Sequence, residues 1–164
     1  MGVGAIVVGV DGSQASRDAL RWALEEARVR GTAVEAVHVW RYPVLTYAAT
    51  LASAVSARAE LQTGARALLD HEVDQVVAGE YDPPPVERVL LEGPPGRRLA
   101  DHAAGAALLV VGRRRRGFPA LLPGSVAQRC SASARCPVVV VARHPGRPRE
   151  LAWPEPAAVT DLAA

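Results

Sequence analysis

The chain contains no lysine; all 19 of its basic residues are arginine. A Walker-type phosphate loop needs a lysine on the phosphates, so that class of nucleotide site is excluded. Aromatic residues make up only 4% of the 164 positions, so the core must be built from alanine, valine and leucine. Two cysteines, Cys130 and Cys136, are too few for a disulfide framework or a cysteine metal site, and are expected as reduced thiols. His38, His71, His102 and His144 are scattered, and no pair has metal-ligand spacing. His102 follows Asp101 on a short predicted helix and is expected at the surface. No Ser/His/Asp order matches a hydrolase, and no general base or nucleophile offers itself, so no catalytic residue is nominated. The chain does not open with a charged segment and an apolar stretch, as a signal peptide would, and no apolar run reaches membrane-span length. A cytoplasmic protein is therefore expected. The net charge of +2 is too small to call for a nucleic-acid partner.

What the chain does contain is a set of short apolar runs punctuated by glycine and proline. Its length suits one domain, and a hydrophobic share of 49% suits a packed core. Two runs, Leu108–Val111 and Val138–Val141, are too short for ordinary helices and lack alternation, as strands buried on both faces of a parallel sheet do. Between them lie an arginine- and glycine-rich loop, Gly112–Gly117, and a helical segment from about Pro123 to Ser133. In open α/β sheets ligands bind beyond the carboxyl ends of strands, and Gly124-Ser125 would open a helix whose free amides suit an anion.

The rest of the chain repeats the alternation. Ala5–Val10 reads as a buried first strand. Ser13 is placed to cap a helix carrying Ala19, Leu20, Ala23, Leu24 and Ala27 at helical spacing, with Asp18 in its first turns and Gly31 to stop it. Ala33–Trp40 reads as a second strand, and Arg41–Tyr47 as a connection. A long helix is predicted from about Ala49 to Ala78, its apolar face marked by Leu61, Ala65, Leu68, Leu69, Val73 and Val76. Pro83-Pro84-Pro85 ends it. Val86–Leu91, with Glu87 and Arg88, reads as a third strand near an edge. Gly93-Pro94-Pro95-Gly96 reads as a turn and Arg97–Ala104 as a short helix. The order β-α-β-α-β-α-β-α-β, without a repeat, predicts an α/β fold with a doubly wound, five-stranded parallel open sheet. Residues 1–143 form the domain; 144–164 read as a proline-rich tail.

Some of these residues leave two readings open. Asp11, at the end of the first strand, could accept hydrogen bonds from a ligand, or could bond its own turn, as Asp-Gly-Ser invites. Gly112, Gly117 and Gly124 could let backbone wrap phosphates, or could simply turn the chain. Arg113, Arg114, Arg115 and Arg116 could clamp an anion or form a solvated loop tip.

The stretch Ala106–Val141 resembles the universal stress protein family, whose ATP-binding members carry Gly, two residues, Gly, nine residues, then Gly-Ser or Gly-Thr. Gly112 and Gly124-Ser125 match; Arg115 stands where the middle glycine would be, and the spacing to Gly124 is one residue short. The resemblance covers about residues 4–143. It implies a Rossmann-like sheet with strand order 3-2-1-4-5 and ATP, with Mg²⁺ on its triphosphate, at the switch point between strands 1 and 4. It implies a ligand role for Asp11, close approach of the nucleoside at Gly9, and adenine recognition by the main chain at Val39. The phosphates would meet Gly112, Arg113–Arg116, Gly117, Phe118, Gly124 and Ser125. It further implies a homodimer through strand 5 (Val138, Val139, Val140, Val141) and a role in stress adaptation by nucleotide-linked signalling. A nucleotide-free interaction protein of the same fold is the alternative, and slow ATP hydrolysis ranks last.

Overall fold

The structure, a computed structural model, describes residues 4–42, 51–113 and 126–142. Among these residues strands and helices alternate: β1 (Ile6–Gly9), α1 (Gln14–Arg30), β2 (Val34–Trp40), α2 (Leu51–Val77), β3 (Val86–Glu92), α3 (Pro95–His102), β4 (Leu108–Arg113), α4 (Val126–Ser133) and β5 (Val138–Ala142). The strands form one sheet in the order β3-β2-β1-β4-β5, and every pair is parallel. The expected architecture and strand order are both found. The tail, 144–164, lies outside the described residues.

Side-chain alternation along the strands divides the core in two. Ile6, Val8, Val34, Ala36, Leu108 and Val110 face α1 and α2, where they meet Leu20, Leu24, Leu69 and Val73. Val7, Val37, Leu109 and Val111 face the other way, onto Leu99 of α3, Ala103 at its C-cap and Cys130 of α4. Strands β1 and β4 are buried on both faces, which explains their apolar runs. The run Val138–Val141, expected to be buried likewise, is only half-buried with Val140 exposed, because β5 ends the sheet. Each fully buried leucine or valine contributes about 1.5–3 kcal/mol, so burial replaces the missing aromatic mass by number.

Local signals set the helix ends. Ser13 caps α1 by accepting from the Ser16 amide, and Gly31 closes the helix in the left-handed region at φ 63°. The first turn of α1 carries no acid; Asp18 sits deeper, accepting from Gln14 and Arg21. Helix α3 starts at Pro95, two residues before the predicted start. The Gly93–Gly96 stretch is only partly a turn, because proline at the first helical position loses no hydrogen bond. Strand β4 continues through Gly112 and Arg113, which lie level with Val141 and Ala142 of β5, so the expected loop start at Gly112 belongs to the strand.

Helix α2 departs from expectation along its length. Leu69, Val73 and Val76 are buried, but Leu61 and Val55 are exposed. The geometry requires this. A helix of 27 residues is about 40 Å long, whereas the seven residues of β2 span about 23 Å. The amino-terminal half of α2 therefore overruns the carboxyl edge of the sheet.

The two sheet edges differ. Outer strand β3 is covered by charge: Arg88 donates to Asp70 and Asp74 of α2. Burial opposes the guanidinium's charge, but the two carboxylates outweigh it and hold Arg88 above the usual arginine range. Outer strand β5 carries only valines and an alanine.

Candidate functional site

The carboxyl edge of the sheet has a notch. Pairing of β1 with β2 ends at Gly9↔Val37 and with β4 at Val8↔Val110. Both neighbours run on, β2 to Trp40 and β4 to Arg113. The notch is walled by β2 and β4 and floored by Val10, Asp11 and Gly12. It is also the switch point of the sheet: the chain leaves β1 toward α1 and β2, and reaches β4 from α3 on the other face.

Val39 lies on the β2 wall. Val37 accepts from the Val10 amide, so odd-numbered β2 residues turn their main chain toward β1. Two positions on, the main chain of Val39 points past the end of β1 into the notch. Histidine marks the place where the ladder stops: Nδ1 of His38 lies 2.7 Å from the Val10 carbonyl oxygen. A carbonyl can only accept, so Nδ1 carries the proton.

The floor is a tightly specified turn. The Asp11 carboxylate accepts from the Ser13 amide at 3.1 Å, while the Asp11 amide donates to Oγ of Ser16 at 3.3 Å. Gly12 takes φ 78°, a conformation glycine adopts without penalty, and Leu68 of α2 packs against it. Asp11 is exposed. The turn reading of this residue is thus found, and its side chain is exposed at this end of the sheet.

The two described glycines of the proposed site have close neighbours. A Cβ on Gly9 would stand 3.1 Å from Cδ1 of Leu99, so Leu99 of α3 covers this strand end. A Cβ on Gly112 would stand 2.3 Å from the Ala15 carbonyl oxygen, so the first turn of α1 rests directly on β4. Arg113, beyond it, is exposed. The structure thus brings Gly9, Asp11, Val39, Gly112 and Arg113 to one end of the sheet. Arg114, Arg115, Arg116, Gly117, Phe118, Gly124 and Ser125 lie outside the described residues.

Sequence reading missed several residues. Glu72 of α2, 4% exposed, meets Arg17 of α1 in two places: Nε to Oε2 at 2.7 Å and Nη2 to Oε1 at 3.0 Å. The same guanidinium donates to the Gly12 carbonyl. Nothing in the spacing of Arg17 and Glu72 announces this pair, because they meet only when α2 crosses α1. His102, expected at the surface, is half-buried: Nε2 lies 2.8 Å from Oε2 of buried Glu35. Around the Gly93 turn three arginines gather: Arg41 donates to the Gly93 carbonyl, and Arg98 and Arg129 lay their stems on Gly93 and Gly96. Cys130 and Cys136 are free thiols, and burial pushes Cys130 up to about 11. A shallow depression lined by Arg28, Thr32, Asp82 and Pro84 lies at the amino end of the strands, away from the notch.

Comparison with known proteins agrees with this geometry. The model of the universal stress protein family matches residues 3–142. A universal stress protein of Mycobacterium tuberculosis is 36% identical over 137 residues, covering 82% of this chain and 44% of that protein. A second from the same species is 33% identical over 144 residues, covering 88% and 50%; the chain thus spans about half the length of these curated relatives. Among solved structures, a universal stress protein in complex with cAMP is 25% identical with a TM-score of 0.60, covering 84% of this chain and 95% of that one. The universal stress protein of Archaeoglobus fulgidus in complex with dAMP is 28% identical with a TM-score of 0.51, covering 85% and 98%. The notch at the switch point, the strand order and these matches lead to one conclusion: the chain belongs to the universal stress protein family.

Proposed function

We propose that the chain is a binding module that takes an adenine nucleotide, ATP in the first instance, in the notch at the end of β1, and acts in stress adaptation by nucleotide-linked signalling. The observation that carries this reading is the notch itself, with the exposed Asp11 on its floor and the main chain of Val39 on its wall. Two similar solved proteins hold cAMP and dAMP, which supports adenine-nucleotide chemistry. Adenine would meet the main chain of Val39, and Asp11 would accept from the ribose hydroxyls. The phosphates would extend past Gly112 and Arg113 toward Arg114–Arg116, Gly117, Phe118, Gly124 and Ser125. No three His, Cys, Asp or Glu side chains gather among the described residues, so Mg²⁺ would ride on the triphosphate. No residue of the notch is assigned a catalytic role.

A homodimer through β5 belongs to the same proposal. Leu109 donates to the Pro137 carbonyl, so odd-numbered β5 residues face β4 and even-numbered ones face outward. Val138, Val140 and Ala142 therefore present their amides and carbonyls to a second copy.

The second reading is a nucleotide-free interaction protein of the same fold. Arg115 in place of a glycine favours it. So does Leu99 over Gly9, because the strand end is already covered. Equilibrium binding of a fluorescent ATP analogue at micromolar protein decides between the two. Saturable binding displaced by unlabelled ATP supports the first, and flat titrations support the second. Phosphate release at saturating ATP tests for hydrolysis.

A further inference from the structure

We infer that Arg17 and Glu72 are positioning residues of the nucleotide site, through which α2 fixes the direction of the Asp11 carboxylate; this rests on the adenine-nucleotide reading above. The pair is built as a clamp. Glu72 is buried on α2, and its two oxygens hold Nε and Nη2 of Arg17 at 2.7 and 3.0 Å. Only Nη2 to Oε1 is a hydrogen bond; Nε and Oε2 are in close ionic contact without hydrogen-bond geometry, and the two contacts together restrict the planar guanidinium. With its orientation set, Nη2 reaches the Gly12 carbonyl at 3.2 Å. Gly12 follows Asp11 directly and holds φ 78°, so the plane of the peptide after it determines where the Ser13 amide points. That amide donates to Oδ1 of Asp11 at 3.1 Å. The chain of contacts therefore runs from Glu72 through Arg17, the Gly12 carbonyl and the Ser13 amide to the Asp11 carboxylate. Leu68, one turn before Glu72, packs on Gly12 and presses on the same turn.

An ion pair serving stability alone could lie anywhere between α1 and α2. This one spends a second N–H of Nη2 on the site turn. A lysine at position 17 keeps the charge but cannot span both Glu72 oxygens and the Gly12 carbonyl in a fixed plane. Glutamine at position 72 keeps the shape and removes the charge.

The test uses the full chain with AMP as probe, in parent, Glu72→Gln, Arg17→Lys, Asp11→Ala and the Asp11→Ala/Glu72→Gln pair. Nitrogen-15 NMR of the ligand-free proteins reads the turn directly. The inference expects the Gly12 and Ser13 amides to shift in Glu72→Gln while Leu20 and Leu24 stay in place. It also expects AMP affinity to fall about tenfold in Glu72→Gln and in Arg17→Lys. In the Asp11→Ala background, Glu72→Gln should cost little further affinity, because the group being aimed is gone. Unmoved Gly12 and Ser13 signals overturn the inference. So does a loss of affinity in Glu72→Gln that is equally large with and without Asp11, as expected of a general weakening of the fold. A parent that binds no AMP defeats the nucleotide reading by itself. The amide shifts then still decide whether the clamp holds the turn.

Discussion

Gly112 has two possible jobs, and one substitution separates them. If it only clears a path for phosphate, Gly112→Ala leaves the ligand-free protein intact. The structure says otherwise. The added Cβ would stand 2.3 Å from the Ala15 carbonyl oxygen, 2.4 Å from its carbon and 2.9 Å from the Ser16 nitrogen. Relief requires the first turn of α1 to retreat by about 1 Å, and no rotamer can substitute, because the obstacle is backbone. Overpacking costs about 1–3 kcal/mol in cores that can adjust; a rigid helix start belongs at the upper end, about 3 kcal/mol. For a domain of this size that lowers Tm by about 6–12 °C. Gly64→Ala is the matched control: nothing lies within 4 Å of its added Cβ, and the site is mid-helix in α2, so a gain of up to about 1 kcal/mol is expected. Thermal unfolding of both variants without nucleotide gives the answer. A Gly112→Ala protein melting within a degree or two of the parent would refute the close-approach argument and return Gly112 to the ligand.

Asp11→Ala should weaken adenine-nucleotide binding by about 1–3 kcal/mol by calorimetry in a protein that still folds, the lost bond to the Ser13 amide costing about 0.5–1.5 kcal/mol of stability. Replacing Arg113–Arg116 with alanines should bring ATP affinity toward that of adenosine, and in the parent the ATP–adenosine difference should shrink as salt rises; a variant that binds ATP like the parent rules out a side-chain clamp. Val140→Pro removes an amide that points away from β4 and should give monomers by light scattering without unfolding, whereas Val139→Pro strikes the β4 ladder and should cost stability as well. Cys130, raised from 9.0 to about 11 by burial, keeps its proton in the fold while the unfolded chain ionises. Its stabilising contribution is therefore full below about pH 9 and lost as pH rises toward about 11, by about 2–3 kcal/mol in all. Urea unfolding across that range should show the slope in the parent and a smaller one in Cys130→Ala, where Cys136, also raised by burial, still contributes; the chain has no lysines to titrate alongside.

The fold was legible because its signals are local. The unbroken run Leu108–Val111 marks a doubly buried strand, and Ser13 and Gly31 mark the ends of α1; but the valine run Val138–Val141 is a part-exposed edge strand, and α2 stops at Val77, ahead of the triple proline. The errors fall where context outweighs local preference. Leu61 has the right helical spacing for the core, but α2 is longer than the sheet beneath it. Pro95 looked like a turn residue and became the first residue of a helix. The strand order came only through family resemblance, since spacing alone does not order five parallel strands. Within the candidate site, Asp11 and Gly112 could be named because strand ends are readable, and Val39 only through the family resemblance. Arg17, Glu72, His38 and the Glu35–His102 pair could not, because each contact joins residues far apart or depends on the parity with which a strand faces its neighbour.

The contrast between the two sheet edges has a consequence for how many copies can assemble. A sheet with two bare edges can add strands at either end and grow without limit. Here one edge is guarded by the ionic contacts of Arg88 with Asp70 and Asp74, which resist a flat incoming strand. If two copies join through β5 about a two-fold axis, the surface that joined them is used up in both. The combined sheet then ends in charge on both sides, so association is a finite event that closes at two and gives no ribbon or fibre.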